Sequence, residues 1–385
     1  MKIGIITQPL RANYGGLLQN YALQKVLKNR GYEVETLNWG YTSRFRQFLS
    51  ESFRKILSTV TPIQNASALY EPSRKERALI SSNTDRFIDK YIHRTIPLTC
   101  ASDFIKVSRR NKYDVYIVGS DQVWRPCYNI YLDAMFLNFV TEENVKRISY
   151  AASFGTDLWE YNDIETKKCA LLAQKFDLIT VREESGVDMC KRHLGVNASC
   201  VLDPTLLLCK EDYIKLIKEE KEQESSGSLF YYILDPSSSK IDIVKFIADR
   251  CSLVPFKVLP DYCGKNISKE HIKADTDQCI FPSVTSWLRA FMDAKMIVVD
   301  SFHGMVFSII FNKPFWVIGN KERGMSRFTS LLSMLELSDR MLDYSDLGSI
   351  DLLKEIDWNR VNNILAVKRK YSLNLLFGAL ESHKL

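Results

Sequence analysis

The sequence predicts an α/β protein of two Rossmann-like domains that face a cleft. Three observations carry this reading. Short apolar strands alternate with segments of helical spacing along most of the chain. Each strand ends in polar and turn-forming residues, which is where doubly wound sheets bind their ligands. The series breaks once, at a charged stretch closing on Ser225-Ser226-Gly227-Ser228, and then begins again. At 385 residues the chain has room for two cores of ordinary size.

The elements follow in order. Lys2–Thr7 is an apolar strand, and Gln8–Gly16 a loop with Pro9 and Gly15-Gly16. Leu17, Leu18, Tyr21, Ala22, Val26 and Leu27 recur at helical spacing, so Leu17–Arg30 is a helix stopped by Gly31. Tyr32–Leu37 returns as a strand, which makes a βαβ unit and a parallel sheet. Residues 41–110 are more polar, with surface helices at Arg44–Leu57 and Arg74–Tyr91. Buried strands follow at Asp114–Val118, Lys146–Ala152, Leu178–Val181 and Ser199–Leu202. After the break come strands at Leu229–Leu234, Phe256–Leu259, Met296–Val299 and Phe315–Ile318. The helices between them are Lys240–Arg250, Ser283–Ala294 and Phe302–Phe311. The expected boundaries are a first domain over 1–210 with a helical insert at about 41–110, a linker over 211–228, a second domain over 229–350, and a helical tail over 351–385 that packs back on the first domain. This is the twin-Rossmann arrangement called GT-B, with its active site between the halves.

Composition narrows the function. The net charge is +6, yet no Lys/Arg-rich block tracks a phosphate backbone, so no nucleic-acid partner is expected. The excess charge suits a small anionic substrate. Nine cysteines occur without a C-x-x-C pair. They read as reduced thiols of a cytoplasmic protein, with no metal site. The first strand is too brief for a signal peptide, and no run approaches the ~20 apolar residues of a membrane span. Any work at a membrane is therefore expected from its cytoplasmic face.

Five strand ends carry candidate chemistry. Val298-Val299-Asp300-Ser301-Phe302-His303-Gly304 places a helix start directly after a buried strand. Free backbone N–H groups and the helix dipole there favour an anion. Ser301 caps the helix or bonds a phosphate, His303 sits in the first turn, and Gly304 admits close approach. Asn320 to Arg327 follows the next strand, and Arg323 and Arg327, four apart, can clamp a carboxylate or phosphate. Arg182 leaves the strand end Thr180-Val181-Arg182-Glu183 with a fork suited to a carboxylate. Asn13, Tyr14, Gly15 and Gly16 form a ligand-contacting loop after the first strand; it is not G-x-G-x-x-G, so a dinucleotide is not expected. Asp121, beside Gln122 and Trp124, can take a hydroxyl proton while the indole stacks on a sugar face.

Taken together, these segments resemble the polysaccharide pyruvyl transferase family. The resemblance rests on Asn13-Tyr14-Gly15-Gly16 with Leu23-Gln24, on Gly119-Ser120-Asp121-Gln122-Val123-Trp124, and on Tyr150-Ala151-Ala152-Ser153-Phe154-Gly155. Val181-Arg182-Glu183, Asp203-Pro204-Thr205, Ser301-Phe302-His303-Gly304 and Asn312-Lys313-Pro314-Phe315 continue it in order. It implies a GT-B-like fold, phosphoenolpyruvate as co-substrate with no further cofactor, and a pyruvate ketal on two hydroxyls of a surface-polysaccharide or capsule sugar. It associates His303 and Arg182 with the donor. The chain departs from the family at Gly15-Gly16, where many members carry Gly-Asp. Residues 41–110 carry none of the motifs of this resemblance and are expected to shape acceptor choice.

On this basis the donor side is expected to comprise Arg182, Ser301, Phe302, His303, Gly304, Arg323 and Arg327. The acceptor side comprises Asn13, Tyr14, Gly15, Gly16, Asp121, Gln122 and Trp124. His303 is the expected acid and Asp121 the expected base. The acceptor is a sugar or a lipid-linked oligosaccharide. Two alternatives stay open: a GT-B glycosyltransferase using a nucleotide sugar, and a non-catalytic sugar- or phosphate-binding protein.

Overall fold

A computed structural model describes residues 1–40, 70, 72–263, 266–319, 324–348 and 350–382. The helix expected at Arg44–Leu57 lies outside them.

The first half holds a six-stranded sheet in the order β2-β1-β3-β4-β5-β6. Its strands are β1 (Lys2–Ile6), β2 (Glu33–Thr36), β3 (Val115–Val118), β4 (Lys146–Ala152), β5 (Leu178–Val181) and β6 (Ser199–Cys200). All pair in parallel. Helices α1 (Tyr14–Asn29), α2 (Arg74–Ile80), α3 (Ser82–Tyr91), α4 (Ala101–Asn111), α5 (Asp163–Ala173) and α6 (Glu184–Met189) connect them. The second half holds five strands in the order β11-β10-β9-β7-β8, again parallel. These are β7 (Leu229–Tyr232), β8 (Pro255–Phe256), β9 (Met296–Val299), β10 (Phe315–Ile318) and β11 (Met341–Leu342). Its helices are α7 (Lys210–Glu219), α8 (Ser238–Cys251), α9 (Lys269–Ala274), α10 (Val284–Asp293), α11 (Phe302–Ile310), α12 (Ser326–Met334) and α13 (Trp358–Glu381). Central strands such as Val-Tyr-Ile-Val in β3 are buried throughout, as a sheet covered on both faces requires.

The order of strands fixes the place for a site. In the first sheet β1 is flanked by β2 and β3; in the second β7 is flanked by β8 and β9. The chain reverses direction at each of these points, and a crevice opens beyond the carboxyl ends there. The loops after β1, β3 and β9 line those crevices, so the motifs at residues 13–16, 119–124 and 300–304 share one region.

Several boundaries move for local reasons. Helix α1 starts at Tyr14, three residues before the expected Leu17, because Asn13 is its N-cap and accepts from the Gly16 N–H at 3.2 Å. Gly15 and Gly16 therefore belong to the first helical turn and not to a loop. The helix does end where Gly31 takes φ +88°, with Gly31 N–H donating to Lys28 C=O at 2.9 Å. The helix expected over Arg74–Tyr91 breaks at Ser81 into two. The segment expected to link the halves carries α7, capped at Cys209 with Asp212. The tail becomes helical only at Trp358, where Asp357 caps it.

The expected return of the tail onto the first half is observed. Lys146, nearly buried, donates to the Ala379 and Leu380 carbonyls at 2.8 and 3.0 Å. A cation there satisfies the free carbonyls of the helix end. Arg369 Nε donates to Leu206 C=O at 2.8 Å, and Leu202 N–H donates to Ser372 Oγ at 3.1 Å.

One hydrophobic core crosses both halves. It joins Ile3, Leu18 and Leu27 of the first to Trp287, Phe291 and Phe307 of the second. At the crossing the Tyr14 ring stacks on Trp287 with centroids 5.4 Å apart, and its hydroxyl donates to Pro282 C=O at 2.9 Å. Burying aromatic surface on both sides couples the halves energetically. The protein should therefore melt in a single calorimetric transition. Trp287→Ala should lower stability by about 3–5 kcal/mol. Two separate transitions in the unsubstituted protein would overturn this coupling.

Candidate active site

The site is assembled around one buried guanidinium. Arg182 follows β5, and its side chain is 1% exposed. Its Nη1 donates to Asp203 Oδ2 at 3.0 Å, and its Nη2 lies 3.5 Å from Asp121 Oδ1. Asp203 follows β6 and is itself fully enclosed. Its Oδ1 accepts from Thr205 N–H at 3.0 Å and Thr205 Oγ at 2.6 Å. Its Oδ2 accepts from Ser120 Oγ at 2.7 Å. Three strand ends, after β3, β5 and β6, are thus tied to one carboxylate.

The second half closes on this cluster. His303, in the first turn of α11, brings Nε2 to 3.7 Å from Asp203 Oδ2. That is within ion-pair reach and beyond hydrogen-bond length. Its ring lies on Gly15, where an added Cβ would meet Nδ1 at 2.2 Å. Phe302 packs under Arg182, with the guanidinium 4.4 Å from the ring centroid. Arg327 of α12, also buried, approaches the same ring at 5.8 Å. Two guanidiniums of the expected donor set therefore flank one phenyl ring. Gly324 takes φ +85°, and a Cβ there would meet the Gly155 carbonyl oxygen at 1.8 Å. Glu184 N–H donates to Ser330 Oγ at 3.3 Å. The cleft is stitched along this line.

The charges explain one another. Burial pushes the Asp203 pKa up, but the His303 and Arg182 contacts outweigh it and hold the carboxyl well below the ordinary range. Burial likewise opposes ionisation of Asp121, and Arg182, His303 and Arg327 overcome it. Arg182 gains more from Asp203, Asp121 and Glu183 than burial costs, so its pKa rises. Arg327 is pulled down to about 10 by burial and by the like charge of Arg182. Glu183 is pushed up by burial; its Oε1 accepts from Ser153 Oγ at 2.8 Å and Phe154 N–H at 3.0 Å.

Not every expected residue serves the cleft. Trp124 cannot stack on a sugar. It is fully buried, donates from Nε1 to Met135 C=O at 3.0 Å, and stacks on Phe136 at 4.9 Å. Tyr14 is committed to Trp287 and Pro282 and offers no acceptor contact. Asn13 is engaged as the α1 cap, and Gly16 is bare because a Cβ would sit 2.9 Å from Asn13 Nδ2. Gly15 makes room for His303, not for a ligand. Ser301 Oγ accepts from Gly304 N–H at 3.0 Å, so it caps the helix. Gly304 is bare because a Cβ would meet Ser301 Oγ at 2.7 Å and Val299 Cγ1 at 2.8 Å. Gln122 stays half-buried at the rim and accepts from Arg125 Nη1 at 3.2 Å. Arg323 lies outside the described residues.

Asp121 keeps its place beside the cleft and holds φ +80°. Aspartate is among the non-glycine residues that take this left-handed conformation most readily. Asp203, Ser120 and Glu183 were not among the expected site residues. The signal for Asp203 was present: an Asp-Pro-Thr directly after a buried strand, at the same rim as Arg182.

Two outcomes follow from this geometry. Gly15→Ala should fold, since α1 tolerates alanine, but displace the imidazole; an unchanged His303 signal by NMR would refute the contact. Because the Asp203 pKa is depressed on folding, its stabilisation is complete above the ~3.9 of an unfolded aspartate and is lost as pH falls below that value. Acid unfolding of Asp203→Asn should accordingly be flatter below about pH 4. An equally steep acid limb would show that this carboxylate contributes none of it.

Comparisons with known proteins agree with this arrangement. A putative UDP-N-acetylglucosamine 2-epimerase from Listeria monocytogenes superposes with a TM-score of 0.54 at 11% identity, covering 100% of this chain and 98% of that one. Arabidopsis thaliana UGT89C1 complexed with UDP-L-rhamnose superposes with a TM-score of 0.52 at 10% identity, covering 98% of each chain. At such identities the likeness shows the fold: two Rossmann-like domains of GT-B type. No curated protein matches the sequence significantly. The family model for polysaccharide pyruvyl transferase matches residues 13–322, which include the described cluster of Asp121, Arg182, Asp203 and His303. The chain belongs to the polysaccharide pyruvyl transferase family.

Proposed function

We propose that this protein transfers the enolpyruvyl part of phosphoenolpyruvate to two hydroxyls of a sugar and forms a pyruvate ketal. The observation that carries the reading is the pair of buried guanidiniums, Arg182 and Arg327, on either approach to Phe302. Arg182 lowers the pKa of Arg327, and a small ligand of high negative charge would relieve that repulsion. Phosphoenolpyruvate presents both a carboxylate and a phosphate for such forks.

The chemistry balances without a further cofactor. A proton added to the methylene carbon leaves positive charge at the adjacent carbon. A sugar hydroxyl oxygen bonds there and gives up its proton. The second hydroxyl then forms its own bond to the same carbon, its proton leaves, and the carbon–oxygen bond to phosphate breaks. In this reading His303 supplies the first proton and Asp121, kept ionised against burial by Arg182, His303 and Arg327, accepts a hydroxyl proton. Guanidiniums fixed before the reaction stabilise the departing phosphate at no reorganisation cost.

The rest of the reading concerns setting. We infer a cytoplasmic enzyme of surface-polysaccharide or capsule assembly whose acceptor is a free sugar or a lipid-linked oligosaccharide. Among the described residues no helix is long and apolar enough to cross a membrane, so a lipid-linked acceptor would be met at the membrane face.

Thermal melting tests the donor. A ligand at 100 times its Kd adds about 2.7 kcal/mol, a shift of several degrees. Phosphoenolpyruvate should give that shift, and Arg182→Lys, which keeps the charge but loses the fork, should abolish it. A shift with UDP and none with phosphoenolpyruvate would overturn the reading in favour of a nucleotide-sugar donor.

A further inference from the structure

Asp203 is the residue on which both halves of the site converge. It is fully enclosed, and each of its oxygens has a separate task. Oδ1 is held by the Thr205 N–H and hydroxyl at 3.0 and 2.6 Å, which fixes the plane of the carboxylate. Oδ2 faces Ser120 Oγ at 2.7 Å, Arg182 Nη1 at 3.0 Å and His303 Nε2 at 3.7 Å. The imidazole belongs to the second half of the molecule and the carboxylate to the first. His303 Nε2 is buried and has no hydrogen-bond partner; the Asp203 carboxylate is within ion-pair reach of it. Its opposite nitrogen, Nδ1, lies over Gly15 at the start of α1.

We propose that Asp203 is a positioning residue that sets the tautomer of His303 across the cleft, keeping the proton on Nε2 and the lone pair on Nδ1. A carboxylate oxygen can only accept a hydrogen bond, so the nitrogen facing it must carry hydrogen. The tautomer of an imidazole is set by the bond its other nitrogen makes. The proton that His303 exchanges with a reactant is then handled at Nδ1, on the side of the α1 start. At 3.7 Å the pair is in ion-pair reach, and catalytic hydrogen bonds of this kind shorten in ligand-bound complexes. Thr205 and Ser120 act one step further out, by preventing the carboxylate from turning towards Arg182 alone. Two tyrosines also border this carboxylate; Tyr150 and Tyr213 have pKa values raised by burial and so are uncharged there.

The test has two arms, and only the second rests on the pyruvyl transfer reading. In the first, the full-length protein is labelled with ¹⁵N-histidine, and the His303 ring signals are identified by their loss in His303→Ala. Wild type should show hydrogen on Nε2, and Asp203→Asn should lose that preference. An Nδ1–H form in wild type, or an unchanged pattern in Asp203→Asn, overturns the proposal. Thr205→Val guards against a folding defect: the carboxylate stays, and an intermediate pattern is expected. In the second arm, phosphate release from phosphoenolpyruvate is followed with a p-nitrophenyl glycoside that wild type accepts. Asp203→Asn should lower turnover by about 100-fold. In the His303→Ala background the same substitution should change turnover by less than about twofold, since both act through one imidazole. Full additivity would overturn the proposal. Failure of wild type to consume phosphoenolpyruvate would sink the pyruvyl reading alone, with the first arm still deciding the tautomer.

Discussion

The buried pair between Arg182 and Asp203 is the constraint on which the rest of the site depends. Both side chains are essentially withdrawn from solvent, 1% and 0% exposed. A guanidinium in such a place is tolerable only when its charge is met at close range, and removing one partner of a buried pair costs about 3–5 kcal/mol. The pair therefore dictates what surrounds it. Asp121 comes in from β3, Thr205 and Ser120 fix the carboxylate, and Phe302 covers the flat face of the guanidinium. Apart from Thr205, two residues after Asp203, none of these contacts is local in sequence. The sheet makes them possible by bringing β3, β5 and β6 to one rim in parallel.

The second constraint is steric. Three glycines mark places where the halves or their loops touch too closely for a side chain. Gly15 lies beneath His303, Gly324 against the Gly155 carbonyl, and Gly155 against Gln122. Two of these contacts cross the cleft. Gly15 seats α1 against α11, and the stacking of Tyr14 on Trp287 seats it against α10. A site shared between two domains needs this, because a displacement of about 1 Å can cost 100-fold in rate. Gly15 thus joins fold and chemistry: it belongs to the first turn of α1 and supports the imidazole of the opposite half.

Family membership and site geometry bear on different levels of function. The match over 13–322 establishes the family. The GT-B likeness establishes the architecture, which nucleotide-sugar enzymes also use, and a shared fold does not by itself assign a substrate. What separates the readings physically is the donor side. The proposed donor needs recognition of a small polyanion, which two guanidiniums and one imidazole around a phenyl ring would suit. A nucleotide-sugar donor has in addition a base and a ribose to recognise.

The sequence by itself determined the two parallel sheets and the rim on which the chemistry lies. Strands at Lys146–Ala152, Leu178–Val181, Met296–Val299 and Phe315–Ile318 stand where the apolar runs placed them. Runs buried on both faces leave little freedom of register. It also singled out His303, Arg182 and Asp121, because polar residues just after such strands have few other places to go, and Arg327 by its spacing from Arg323. Tertiary structure alone decided which of the remaining candidates face the cleft. Trp124 and Tyr14 carry the same motif signal as their neighbours, yet their large apolar surfaces are stabilised more by Phe136 and Trp287 than by water, and they turn inward. Ser301, Gly304 and Gly16 were spent on helix starts, since unsatisfied N–H groups demand caps before they can serve ligands. Asp203 was hidden for the opposite reason. Its importance lies in three partners far away in the chain, Ser120, Arg182 and His303, and only folding brings them to one oxygen atom.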